Sequence, residues 1–168
     1  MDAAFNRYQL EQGHSGCIPR SHMWNRSVLQ EESITASGHT LEMFTADTRC
    51  EEADHGHTGE NLPGRYLHQA ICNACDWHAI GDENRVVEAW HDHALPGWRQ
   101  LPILPDDLRG RIGGTTTKNR RAMAWLEENY SADWRQSGSP IRTRRSAPGN
   151  RHVPGYLRFG GYGIAVDE

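Results

Sequence analysis

The hydrophobic and polar positions predict a β-hairpin near the middle of the chain. Residues 65–71 and 76–80 are short, bounded segments rich in strand-forming side chains, and a tight Cys-x-x-Cys turn separates them. A further strand is predicted over residues 39–50, HTLEMFTADTRC. We therefore expect a small sheet in which Cys72 and Cys75 lie at the tip of a hairpin.

An amphipathic helix is predicted directly after this hairpin. Asp82 is a favourable N-cap, because its carboxylate can accept a hydrogen bond from the first helical turn. The buried face follows the i, i+3, i+4, i+7 spacing of Val86, Ala89, Trp90 and His93. His91 lies about 160° around the helix from His93. Both imidazoles can therefore bind one ion only if the helix end frays before Pro96.

Helices and irregular stretches are predicted on both sides of this core. Asp2 can cap a first helix that ends at Gly13, and Thr117 can cap a helix over 118–135. Residues 136–163 are rich in Arg, Gly, Ser and Pro, which is typical of an irregular arm. The pattern therefore predicts an α+β fold with a small hairpin and helix core, flanking helices and long irregular arms.

The composition favours a small core. Only 36% of the residues are hydrophobic, and 17 Gly and 8 Pro imply many turns. We divide the chain into an N-terminal helix and docking segment (1–37), a ββα core (38–98), and a basic helix with an Arg/Gly-rich arm (99–168). The last segment is expected to form one compact unit with 38–98. A structural metal is one way in which a loop-rich chain of this kind gains stability.

The compartment predicted from the sequence is the cytoplasm. No apolar run approaches the about 18 residues that span a bilayer, and the N-terminus lacks a charged and then apolar signal pattern. Neither a membrane span nor secretion is therefore expected. In a reducing compartment, cysteines are more often metal ligands or buried apolar residues than disulfides.

A zinc site is the chemistry that the cysteine spacing predicts. Cys72 and Cys75 form a Cys-x-x-Cys pair, and a helix that ends in histidine follows them, as in many structural zinc sites. We predict a tetrahedral structural zinc ion bound by Cys50, Cys72, Cys75 and His93. Four protein ligands leave no open coordination position, so the metal would not be catalytic.

Several alternatives to this ligand set remain open. His91 is the first substitute for His93, and His55 or His57 for Cys50. Cys17 is assigned to apolar packing. The competing interpretation of the whole set is that of buried thiols and a packed histidine.

The charge is distributed unevenly along the chain. The net charge is −4, but residues 1–98 carry 6 basic and 15 acidic side chains, whereas 99–168 carry 12 basic and 7 acidic ones. The basic half can meet nucleic acid or an acidic surface of the other half. The residues predicted to contact phosphates are Lys118, Arg120, Arg121, Arg142, Arg144, Arg145 and Arg151.

Residues 72–102, CNACDWHAIGDENRVVEAWHDHALPGWRQLP, resemble the signature of a family of uncharacterised proteins in actinobacteria and their phages. In that signature a Cys-x-x-Cys-x-Trp turn leads to a helix and then to Asp-His-Ala-x-Pro-Gly-Trp-Arg-x-Leu-Pro. Residues 13–24 and 151–163 resemble the ends of the family, whereas His78 and Ala79 depart from its usual acidic turn. The resemblance implies a phage or mobile-element origin and carries no activity.

Two functions of different classes follow. The first is a non-enzymatic, zinc-stabilised protein that binds nucleic acid or a host nucleic-acid-processing complex. The alternative is a His-metal nuclease, because Asp92-His93-Ala94-Leu95-Pro96 resembles the Asp-His-x-x-Pro segment of such enzymes. Its metal site would be completed by Asn119 or His152, although the second Cys pair common in zinc-containing nucleases is missing.

Overall fold

The computed structural model describes residues 24–27, 33–47, 66–109, 117–147, 149–155 and 159–167. The predicted first helix lies outside these residues, and so do Cys17, Cys50, His55 and His57. Among the described residues, no helix is both long enough and apolar enough to cross a membrane.

The first sheet contains five antiparallel strands. The strands are β1 (Asn25–Arg26), β2 (Ile34–Ala36), β3 (His39–Asp47), β4 (Tyr66–Cys72) and β5 (His78–Gly81). Their order in the sheet is β1-β3-β4-β5, and β2 also pairs with β3. The predicted hairpin is β4–β5, with the Cys-x-x-Cys turn at its tip.

The turn between β2 and β3 determines the register of the long strand. Ser37 and Gly38 both have positive φ, of 49° and 78°. Such a two-residue turn matches the right-handed twist of the strands that it joins. The register that continues across the sheet pairs Leu41 with Cys72. The beginning of β3 is therefore placed next to the end of β4, at the tip of the hairpin.

Helix α1 (Glu83–Ala94) packs against β4 and β5. The predicted cap is present, since the side chain of Asp82 accepts a hydrogen bond of 3.0 Å from the Arg85 amide. The buried residues of the helix are Val86, Val87, Trp90, His91 and Ala94. His93 is only half-buried, in contrast to the predicted face. More than one face of the helix is buried, because the helix packs on the sheet and also contacts residues 98–99 and 150–152.

A second sheet was not predicted. It contains the parallel strands β6 (Ile103–Leu104), β7 (Ile141–Arg144) and β8 (Gly163–Val166). Helix α2 (Thr117–Asn129) lies between β6 and β7 in sequence, as parallel strands require a long crossover. The helix predicted over 118–135 thus ends at Asn129, and residues 132–135 form a separate 3-10 turn. Residues 136–163, predicted to form an irregular arm, therefore contain a strand of this sheet, β7.

Two glycines permit close backbone contacts beside this sheet. A methyl group at Gly161 would overlap the carbonyl oxygens of Gly138 and Ser139, and one at Gly138 would overlap the carbonyl of Thr35. Gly138 also has a φ of 81°, a conformation that disfavours other residues. The backbone at residues 138–139 therefore lies directly between β2 and the chain that leads to β8.

Candidate metal centre

Four metal-ligating side chains meet at the tip of the β4–β5 hairpin. They are His39, Cys72, Cys75 and His93, and one ligand atom from each lies within 4.8 Å of all the others. Sulfur and imidazole nitrogen are both good ligands for transition metals. This group can therefore hold a metal ion.

Three parts of the fold position the four residues. His39 is the first residue of β3, Cys72 is the last residue of β4, and His93 is in the last turn of α1. Cys75 lies in the turn, where its amide donates to the Cys72 carbonyl at 3.3 Å. The Cys72 amide donates to the Trp77 carbonyl at 3.0 Å and closes the hairpin below the turn.

The ligand atoms are close to one another in pairs. His39 Nδ1 lies 3.4 Å from Cys72 Sγ and 3.9 Å from Cys75 Sγ. His93 Nε2 lies 3.0 Å from Cys75 Sγ. The two imidazoles form an edge contact, with 4.7 Å between their centroids. Each histidine thus approaches the thiols through one ring nitrogen.

The environment of Cys72 favours the thiolate, which is the form that binds metals. Burial raises the pKa of the Cys72 thiol and is the largest single influence on it. Hydrogen bonds with His39, Ala74, Cys75 and His93 together outweigh this effect of burial. They lower the pKa of the Cys72 thiol to about 6. The pKa of the Cys75 thiol is raised, by desolvation and then by the neighbouring Cys72.

Residues around the group orient the turn and the helix end. The Trp77 ring stacks on His93, with 4.9 Å between centroids and 8° between ring planes. Asn73 lies inside the turn. Its backbone N–H donates a hydrogen bond of 2.9 Å to the Thr40 carbonyl, and its side-chain amide donates one of 3.1 Å to the Glu42 carboxylate. The buried Glu42 carboxylate also accepts from Ser33 and pairs with Arg26. The turn is therefore attached to the sheet independently of a metal.

The structure brings together three of the four residues predicted as ligands, namely Cys72, Cys75 and His93. The fourth donor is His39, which sequence reasoning did not single out. The antiparallel pairing of β3 with β4 is the signal that could have identified His39. This pairing places the start of β3, where His39 lies, beside the end of β4, where Cys72 lies. Cys50 lies outside the described residues.

His91 is in a different environment from this group. Its side chain is completely buried, and Nδ1 lies 2.7 Å from the Val87 carbonyl, so Nδ1 donates this hydrogen bond. The imidazole packs against the rings of Trp90, Trp98 and Tyr162. Burial lowers the pKa of His91 to about 4, which keeps the ring neutral in the core.

The residues proposed for a nuclease have structural contacts. Asp92 accepts hydrogen bonds from Trp98 Nε1 at 2.8 Å and from Arg99 at 2.8 and 2.9 Å. His152 is completely buried, with Nε2 3.1 Å from Glu88 and Nδ1 accepting from the Ala165 amide at 3.2 Å. Asn119 is half-buried in α2. Both ring nitrogens of His152, which was predicted to help complete the nuclease metal site, are therefore engaged in hydrogen bonds within the fold.

The predicted phosphate contacts divide into two groups. Arg142, Arg145 and Arg151 are half-buried and bind within the chain: Arg142 to the Leu101 carbonyl, Arg145 to Asp167 at 3.0 Å and Arg151 to Glu83 at 3.5 Å. Arg120, Arg121 and Arg144 are exposed, and Arg121 pairs with Asp107 at 3.3 Å. Lys118 lies in the first turn of α2, and its side chain is outside the described part of the structure.

The fold and the site define an α+β protein with a two-histidine, two-cysteine group that can hold a metal ion. The chain belongs to a family of unknown function, DUF6349, whose profile matches residues 1–168. No curated protein and no solved structure matches the chain. The expected membership of a family without an assigned activity is thus confirmed, whereas its distribution among organisms stays a prediction.

Proposed function

We propose that this is a non-enzymatic binding protein whose fold is stabilised by a structural zinc ion on His39, Cys72, Cys75 and His93. The observation that supports it most directly is the convergence of four ligand atoms within 4.8 Å from three separate parts of the fold. Two thiols and two imidazoles form a ligand set that is common in structural zinc sites.

Zinc is the metal that suits these donors best. Bond lengths of about 2.3 Å to sulfur and 2.0 Å to nitrogen place tetrahedral ligand atoms about 3.5 Å apart. The observed separations of 3.0, 3.4 and 3.9 Å bracket this value. Two thiolates and two imidazoles fill a tetrahedral site, so no position remains for water or substrate. The zinc would therefore connect β3, the hairpin turn and the end of α1, and would not take part in a reaction.

The test is the metal content of the protein. Protein purified under reducing conditions is expected to contain one zinc ion per chain and to lose thermal stability when a chelator removes it, since the metal binds only the folded arrangement. A chain that folds to the same thermal midpoint with and without zinc would contradict the proposal. Elemental analysis and thermal unfolding measure both quantities on the same sample.

The partner that we propose is nucleic acid, bound through the exposed Arg120, Arg121 and Arg144. These three are the described members of the predicted basic set that are exposed, whereas Arg142, Arg145 and Arg151 are half-buried. Phosphate binding by a few arginines is weak and strongly dependent on salt. A phage or mobile-element origin is consistent with such a role and is itself part of the proposal.

A gel mobility shift at low and high salt tests this choice. The variant R120Q/R121Q/R144Q is expected to lose the salt-dependent shift, whereas R85Q, at an exposed arginine on α1, should keep it. Absence of a shift at low salt would exclude nucleic acid. A host nucleic-acid-processing complex, recovered with the wild-type protein and identified by mass spectrometry, would then be the alternative partner.

A further inference from the structure

We propose that this metal site is a redox switch, in which hydrogen peroxide joins Cys72 and Cys75 in a disulfide and releases the zinc ion. The inference rests on the proposed zinc site and adds its regulation. The geometry that points to it is the unequal access of the two sulfurs and their position within one turn.

Peroxide can reach one sulfur of the pair directly. Cys75 is exposed, whereas Cys72 is buried, with 1% of its surface accessible. Oxidation of a cysteine follows its thiolate character and its exposure, and zinc holds both sulfurs as thiolates. The reaction therefore begins at Cys75, while Cys72 is protected from direct oxidation.

The second sulfur is already in place to complete the reaction. Both cysteines belong to one four-residue turn, whose hydrogen bond from the Cys75 amide to the Cys72 carbonyl keeps the two ends together. Their sulfurs lie within 4.8 Å of each other. Cys-x-x-Cys turns accommodate the geometry of a disulfide, which needs an S–S bond of about 2 Å. Cys72 can therefore act as the resolving thiolate after a small rotation of side chains.

Peroxide would oxidise the two thiolates to a disulfide in two steps. The Cys75 thiolate attacks one peroxide oxygen, the O–O bond breaks, and hydroxide leaves and takes a proton to form water. Cys75 is then a sulfenic acid. The Cys72 thiolate attacks its sulfur, the S–S bond forms, the S–O bond breaks, and a second hydroxide is protonated to water. The two thiolates have been oxidised to one disulfide, peroxide has been reduced to two water molecules, and zinc leaves as a dication.

The release of zinc follows from the loss of the two anionic ligands. A disulfide carries no thiolate, and only His39 and His93 remain to bind the ion. The core need not unfold, because α1 still packs on the sheet through Val87 and Trp90. The change is expected to be local, at the hairpin tip and at the end of α1. Trp77, which stacks on His93, is a natural fluorescent reporter of it.

The experiment adds hydrogen peroxide to the zinc-loaded, full-length protein in the presence of a coloured zinc chelator. The expected result is release of one equivalent of zinc, with a Cys72–Cys75 disulfide in the peptide map and recovery of zinc binding after reduction by a thiol. Protein that binds no zinc at the start would reject the proposed function itself. Zinc-loaded protein that keeps its metal under peroxide would reject only the switch.

A matched variant separates disulfide formation from general oxidative damage. Cys75→His keeps a metal ligand but cannot form the disulfide, so it should retain zinc at peroxide concentrations that empty the wild type. If the variant does not bind zinc, the peptide map of the wild-type protein still decides. Zinc release without a link between Cys72 and Cys75, or with a link from either one to Cys17 or Cys50, would overturn the inference.

Discussion

The Nε2 atom of His93 lies 3.0 Å from the Sγ atom of Cys75, although the two residues are 18 positions apart in the chain. The hairpin turn holds the cysteine, and the last turn of α1 holds the histidine. The contact exists because α1 packs back across β4 and β5, which directs its C-terminal end to the tip of the hairpin. A metal ion at this point would join the helix to the sheet at the end farthest from the Asp82 cap.

Replacement of His39 is expected to weaken zinc binding. His39→Asn removes an imidazole nitrogen that lies 3.4 Å from Cys72 Sγ, and the loss should exceed about tenfold, since even outer-shell changes cost 10- to 100-fold. Competition with a chelator of known affinity measures the change. His78→Asn, at an exposed histidine of β5, is the matched control.

The same titration decides whether Cys50 is a ligand. Cys50→Ser should retain full zinc binding if His39 occupies the fourth position. The reverse outcome, with zinc kept in His39→Asn and lost in Cys50→Ser, would favour the set predicted from the sequence.

Truncation of Asp92 is expected to destabilise the fold through Trp98. The indole of Trp98 is completely buried, and its N–H donates to Asp92 at 2.8 Å. Asp92→Ala leaves this donor without an acceptor, which costs about 1–3 kcal/mol. Asp92→Asn keeps an oxygen acceptor and should lose less. Urea unfolding of both variants gives the difference, and equal losses would show that the charge on Asp92 matters more than the hydrogen bond.

A methyl group at Gly161 is expected to be poorly tolerated. It would overlap the backbone carbonyls of Gly138 and Ser139, which cannot move as a flexible side chain could. Overpacking of this kind costs about 1–3 kcal/mol or more. Gly81→Ala is the control, because its added Cβ would make only an ordinary contact of 3.7 Å with Val86. Thermal unfolding should therefore separate the two variants clearly.

Glu88 is expected to make part of the stability dependent on pH. The pKa of Glu88 lies below its ordinary value of 4.5, chiefly because of the hydrogen bond to His152. Burial raises this pKa, and the hydrogen bond with Arg99 lowers it further. The unfolded chain therefore takes up this proton at a higher pH than the folded one. The ionised Glu88 carboxylate therefore stabilises the fold fully above about pH 4.5. This contribution is lost as the pH falls through the folded-state pKa of Glu88.

Glu88→Gln tests this dependence. The variant should lose about 1 kcal/mol at neutral pH, where the carboxylate makes charge-assisted hydrogen bonds. The difference from the wild type should shrink in acid, because Glu88 is then protonated in both states of the wild type. Urea unfolding across this range measures the effect, and a constant difference at every pH would assign the loss to packing alone.

Much of the region around the metal centre could be predicted from local patterns. The Cys-x-x-Cys turn, the strands on either side of it and the Asp82 cap all depend on neighbouring residues. His91 and His93 were harder to assign, because α1 is buried on more than one side and its apolar stripe is wide. The second sheet was missed because β6 has two residues and β7 reads Ile-Arg-Thr-Arg, which is too short and too charged to show a strand pattern.

The sequence by itself determined the hairpin, the helix that follows it, and the two cysteines with a histidine at the helix end, because these depend on spacings within a few turns of chain. Tertiary structure alone decided that His39 joins them, since it lies 33 positions before Cys72 and only the pairing of β3 with β4 brings the two together. It also decided which arginines remain exposed, because the hydrogen bonds of Arg142 and Arg145 are made to backbone carbonyls that belong to other parts of the chain. Local patterns carry no information on such distant pairings, which arise when burial of the apolar faces brings remote segments into contact.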